Sequence, residues 1–91
     1  MEFEFDPAKD DANRFKHGVR LAFGRRVFEQ EDHIVVSSHR QADGEERSKA
    51  IGLIDGKLYT VVHVWRDDVV RLISVRRSNA GEQRDYDRYT R

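Results

Sequence analysis

The chain has 91 residues, 17 Lys and Arg against 17 Asp and Glu, and no cysteine, which leaves room for a single domain (1–91) and excludes a separate cofactor domain, disulfides and thiolate chemistry. The hydrophobic share of 37% includes five Phe, three Tyr and one Trp, the composition of a folded domain with a thin core rather than of a disordered chain. No apolar run approaches the ~20 residues that span a bilayer, and the acidic start MEFEFD lacks the n- and h-regions of a signal peptide, so a cytoplasmic protein without membrane contact is expected.

In chain order, the alternation Phe3-Glu4-Phe5 predicts a short edge strand, and Asp6-Pro7 a helix start, since Asp caps free amides and Pro suits the first helical position. The helix should run to about His17 and bury Ala8, Ala12 and Phe15, which fall at i, i+4 and i+7, with Gly18 as its left-handed C-terminal cap. A second helix over about Leu21 to Glu29 rests on Leu21, Phe23, Val27 and Phe28. Strands follow: IVVSS from Ile34, then about Glu46 to Ile54, Leu58 to Arg66 and Val69 to Arg77, joined by the turn-like links QADGE, DGK and DD. A last helix, about Ala80 to Tyr89, begins at Asn79 and Glu82, spaced as in a capping box. The fold class is therefore α+β, one antiparallel sheet in the order β-α-α-β-β-β-β-α. With the first two helices on one face, Ile73 and Val75 should be covered, and Ser74 and Arg76 should face the open side.

A net charge of zero gives no global pull on nucleic acid, so any phosphate site has to be local. Residues 14–26 carry Arg14, Lys16, Arg20, Arg25 and Arg26 with no acid, and residues 71–77 add Arg71, Arg76 and Arg77. The four histidines, at 17, 33, 39 and 63, show no close ligand pairing, so neither a metal nor a cofactor is expected.

Cutting RNA without a metal needs a group that takes the 2′-hydroxyl proton, a cation for the phosphorane and an acid for the leaving 5′-oxygen. Arg76 is the first choice for the phosphate, as an always-charged planar fork on the open face; the alternative is a salt bridge to Glu82 or Glu46. Glu82, Tyr86 and Tyr89 share a helical face, offering an acid and a phenol, or only a cap and a packing stripe. Lys16 and His17 end the first helix, as acid, base or RNA contact, or as plain partners of the helix dipole. Glu46 as base and Arg47 as second phosphate ligand point to opposite faces, so only one can share a site with Arg76. His63 on its strand face reads as packed rather than catalytic. Trp65 and Tyr59 could stack a base or fill the core, Arg71 adds a further RNA contact, and Arg77 is a strand-end cation with a possible phosphate contact.

Three blocks, FEFDPAKDDANRFKHGV, GEERSKAIG and ISVRRSNAGEQRDY, stand in an order and spacing that resembles the BrnT-type toxins along nearly the whole chain. The matching residues are Phe5, Asp6, Lys9, Asn13, Lys16, His17 and Gly18, then Glu46, Arg47, Ile51 and Gly52, then Ile73, Ser74, Arg76, Glu82, Arg84 and Tyr86. Phe5 stands where many relatives carry Trp, and the charge balance is neutral where an RNA-binding toxin is usually basic.

The resemblance implies a RelE-like microbial ribonuclease architecture and the role of toxin in a type II toxin–antitoxin pair. It further implies neutralisation by a BrnA-like ribbon-helix-helix antitoxin, with operator DNA contacted only through that antitoxin. The expected activity is a metal-independent endoribonuclease acting on RNA, messenger RNA above all, and so inhibiting translation. The rival reading is a non-catalytic module whose basic stretches contact a protein or DNA within a repressor complex.

Overall fold

A computed structural model describes residues 1–38 and 46–91, so the expected QADGE turn and His39 lie outside the described residues. The chain runs β1 (Glu2–Glu4), α1 (Pro7–His17), a 3₁₀ turn (Leu21–Gly24), α2 (Arg25–Phe28), β2 (Ile34–Ser37), β3 (Ser48–Ile54), β4 (Lys57–Arg66), β5 (Val69–Arg77) and α3 (Ala80–Tyr89). The local signals behave as their chemistry dictates. Asp6 accepts the Ala8 amide at 2.9 Å ahead of Pro7, and Gly18 closes α1 at φ 79°. Asp55 and Gly56, at φ 51° and 79°, make the tight turn that pairs Ile54 with Lys57.

The sheet has the order β1-β5-β4-β3-β2. β2 to β5 form the expected antiparallel meander, but β1 lies parallel to β5, with Phe3 opposite Val70, so the sheet is mixed rather than antiparallel throughout. Helices explain the difference: α1 and α2 carry the chain from β1 at one edge to β2 at the other, the long crossover that a parallel neighbour requires. The meander then returns to β1. Among the described residues no helix is long and apolar enough to cross a membrane.

One face of the sheet carries the core, Leu21, Val27, Ala50, Ile54, Val61, Val70, Leu72 and Val75, none more than 2% exposed. Each Val, Leu and Ile side chain among them contributes about 1.5–3 kcal/mol by leaving water. Gly24 lies flat on this layer: a Cβ there would sit 2.9 Å from Val75 Cγ2 and 3.1 Å from Val61 Cγ2. That close approach splits the continuous helix expected over Leu21 to Glu29 into a 3₁₀ turn and the single turn of α2.

α1 faces the opposite way from its apolar pattern. Ala8 and Ala12 are exposed and Phe15 is 95% exposed, whereas Asp10 and Asn13 are buried. Polar anchoring is the reason. Asp10 accepts the Leu21 amide at 2.6 Å and the Arg20 guanidinium at 2.8 Å. Asn13 donates to the Val19 and Val75 carbonyls at 2.8 and 2.9 Å and accepts the Val75 amide at 3.1 Å. β1 ends opposite Arg71, so along the edge of β5 beyond it the carboxamide of Asn13 takes the place of a neighbouring peptide group.

A register shift corrects a second expectation. Val62 faces Ser74 while His63 faces Leu72, which makes Ile73 an extra residue in β5. Leu72 and Val75 therefore fill the core, and Ile73 passes to the other face with Ser74. That other face is not wholly open, because the first turn of α3 rests on it.

Candidate active site

The N-terminus of α3 is fastened to the sheet through Glu82, whose side chain is 1% exposed. Its capping box with Asn79 is complete: Asn79 Oδ1 accepts the Glu82 amide and Glu82 Oε1 the Asn79 amide, each at 2.9 Å. The same carboxylate accepts both terminal nitrogens of Arg76 at 2.7 and 2.8 Å and the Thr60 hydroxyl at 3.0 Å, and Lys49 Nζ lies 3.3 Å away. Burial alone would raise the Glu82 pKa, but the Arg76 fork, the Asn79 amide and Thr60 overcome it and hold the carboxyl at about 2. So firmly ionised a carboxylate is a poor proton acceptor near neutral pH and a strong clamp for cations.

Beside this clamp opens a cleft of about 410 Å³, lined by Lys16 and His17 from the end of α1, Ser38, Arg47 and Lys49 from the β3 side, and Ile73, Ser74 and Arg76 from β5. Val62, Asn79 and Glu82 complete the lining. Burial first, then the charges of Lys16 and Arg76, push the His17 imidazole below its ordinary 6.5, so it is mainly neutral at pH 7. Arg76 stays charged, supported above all by its hydrogen bonds to Glu82. A guanidinium has five donors; the Glu82 fork uses two and the Arg77 carbonyl, at 3.3 Å, a third. Among the described residues the remaining two meet no partner. The cleft can thus offer a neutral imidazole and several cations to a phosphodiester.

Of the residues expected at a site, Lys16, His17, Arg47, Arg76 and Glu82 converge here. Glu46 and Arg47, which directly precede β3, part from each other: Arg47 lines this cleft, and Glu46 lines a separate recess with Ser48, Val64 and Trp65. Tyr86 sits against Glu29, Gln30, Glu31, Asp32 and Leu53, where burial and then the charges of Asp32 and Asp87 raise its pKa. Arg71 pairs with Glu4 at the β1 side of the sheet. Arg76 and Arg77 do lie on opposite faces, Arg77 stacking over the Tyr59 ring with 5.8 Å between guanidinium carbon and centroid. Trp65 is 52% exposed, away from the cleft.

Sequence reasoning missed Lys49, although it stands two residues after Arg47 within the strand expected over Glu46 to Ile54, and both line the cleft. It missed Ser38 as well, which closes the cleft beside β2 and carries no motif of its own. His63 is fully buried against Phe28, its ring 5.0 Å from the phenyl, with Nδ1–H donating to the Val61 carbonyl at 3.1 Å and Nε2 without a partner among the described residues. Burial lowers its pKa. It belongs to the core side and cannot reach the cleft. Among the described residues no three His, Asp or Glu side chains are grouped as metal ligands.

A family model described as the ribonuclease toxin BrnT of type II toxin–antitoxin systems matches residues 5–82, a span that holds every residue lining the cleft. No curated protein matches the chain.

Proposed function

Starting from the chain's membership of the BrnT family of ribonuclease toxins of type II toxin–antitoxin systems, we propose that it is a metal-independent endoribonuclease whose active site is the cleft between α1, β3, β5 and α3. The observation that carries this reading is the convergence of His17 with Lys16, Arg47, Lys49 and Arg76 in one cleft, where burial and the neighbouring cations lower the His17 pKa. His17 takes the 2′-hydroxyl proton, the 2′-oxygen attacks phosphorus, and the bond to the 5′-oxygen breaks as that oxygen takes a proton from the Lys16 ammonium, leaving a 2′,3′-cyclic phosphate and a 5′-hydroxyl. The cations hold the scissile phosphate and its developing charge. Glu82 acts through Arg76 as a positioning residue, because its carboxylate is too acidic to serve as base.

The cleft's carboxylate is already engaged by Arg76 and Lys49, which favours cationic stabilisation of the phosphate over a metal held by the protein. We take the single mixed sheet with α3 at the site to be of RelE-like architecture. In the cell this activity would cut messenger RNA in the cytoplasm until a ribbon-helix-helix antitoxin of the BrnA kind covers the cleft, and the pair would reach operator DNA through the antitoxin. The test is cleavage of RNA by the purified chain in the presence of chelator, with His17→Asn as the inactive comparison.

A further inference from the structure

The inverted orientation of α1 leaves an apolar ridge that no other described residue covers. Ala8, Ala12 and Phe15 line up along the outward side of the helix, spanning about 10 Å at 1.5 Å per residue, and Phe15 is 95% exposed. An aromatic side chain in this position gains nothing from the fold, and in line with Ala8 and Ala12 it offers an apolar anchor to another molecule. Cations outnumber acids around the ridge: Lys9, Arg14 and Lys16 are exposed, against the one exposed acid Asp11, which pairs with Arg20 at 3.2 Å. The ridge also runs into the proposed active site. A recess lined by Lys9, Ala12, Asn13, Lys16, His17, Ile73 and Ser74 joins it to the cleft, sharing Lys16, His17, Ile73 and Ser74 with it.

We infer that the outward face of α1 is the docking surface for an acidic, amphipathic segment of the antitoxin, which receives Phe15 in an apolar pocket and lays its carboxylates across Lys9, Lys16 and the mouth of the cleft. The inference rests on the proposed function for the identity of the cleft and of the partner. A protein segment fits better than RNA because two methyls and a phenyl ring in line match apolar side chains, whereas RNA would engage only the cations and the single ring. Occupancy at this place blocks the cleft without any change in it, since the bound segment closes the recess beside His17. Phe15, projecting alone from a helix, has the form of an interface anchor.

The test pairs the chain with the antitoxin encoded by the adjacent reading frame and measures affinity by calorimetry at two salt concentrations, alongside cleavage of a short single-stranded RNA. Phe15→Ala should weaken antitoxin binding by about 30-fold or more and leave cleavage and thermal unfolding unchanged. Ala8→Glu should weaken binding through repulsion of the acidic segment, and wild-type affinity should fall as salt rises. Unchanged antitoxin affinity in Phe15→Ala, or a loss of RNA cleavage in its place, overturns the inference and assigns the ridge elsewhere or to RNA. Failure of the wild type to cut RNA would instead count against the proposed function, and the binding comparison would still decide the docking surface.

Discussion

Arg76 presents both terminal nitrogens to both carboxylate oxygens of Glu82, at 2.7 and 2.8 Å, and so ties the last strand of the sheet to the first turn of α3. The pair fixes the guanidinium at the cleft and at the same time closes the capping box of the helix. Arg76→Ala would therefore strip a buried carboxylate of its main partner, and loss of activity in that variant would mix chemistry with stability. The salt bridge and the phosphate role are not alternatives for this residue, because a fork held from one side keeps donors on the other.

Removing the carboxylate should show how much of the fold rests on this tie. Glu82→Ala leaves two cations uncompensated and opens the cap, at a cost of about 3 kcal/mol, readable as a shift in the denaturant midpoint. The pH dependence has a definite sign. The Glu82 pKa is lowered from 4.5 to about 2, so its contribution is fully present above the unfolded value and is lost as pH falls from 4.5 towards 2, by about 3 kcal/mol in all. In Glu82→Gln this part of the acid destabilisation should be missing; an unaltered difference between pH 5 and pH 2.5 would contradict the pairing.

Asn13 should prove as important to stability as a core residue. Its carboxamide makes three hydrogen bonds, two of them to Val75 on β5. Asn13→Ala leaves the buried amide and carbonyl of Val75 unpaired and should cost about 3 kcal/mol, while Ala12→Ser on the exposed side of the same helix should cost almost nothing. Equal effects of the two substitutions in equilibrium unfolding would show that α1 is not held by this contact.

These two residues also mark what the sequence could and could not disclose. The spans of α1, α3, β4 and β5, the Asp6-Pro7 start, the Asn79–Glu82 box and the opposition of Arg76 to Arg77 follow from local chemistry and alternation, and the structure has them. The orientation of α1 does not follow from its pattern. Its apolar stripe is real, but Asp10 and Asn13 gain more by satisfying backbone groups 11 and 62 positions away than Ala8, Ala12 and Phe15 would gain by burial. Nothing local signals such a pairing. Ile73 reaches the cleft through a one-residue bulge, and simple alternation assigns it to the core. The parallel pairing of β1 with β5 depends on where the crossover ends, which is a property of the whole chain.

The two arginines of the opposite faces, Arg47 and Arg77, should separate in RNA binding. Arg47 lines the cleft and Arg77 packs over Tyr59 on the far side. Arg47→Ala should raise KM and reduce the salt dependence of RNA affinity by about 0.7 in log–log slope, the effect of one lost phosphate contact on a single strand. Arg77→Ala should leave both unchanged. The reverse pattern, measured by steady-state cleavage and salt-titrated binding, would place RNA on the core-side face.

The most direct test of the central claim is the pH profile of RNA cleavage in the presence of chelator, for the wild type and for His17→Asn, with the ends of the products identified. The proposed site predicts metal-free cutting that leaves 2′,3′-cyclic phosphates. It also predicts an acid limb with its midpoint below 6.5, since burial, Lys16 and Arg76 lower the His17 pKa, and a rate lower by about 10²–10⁴-fold in His17→Asn with that limb gone. Cleavage that requires added metal, or His17→Asn cutting at the wild-type rate with an unaltered pH profile, would contradict it.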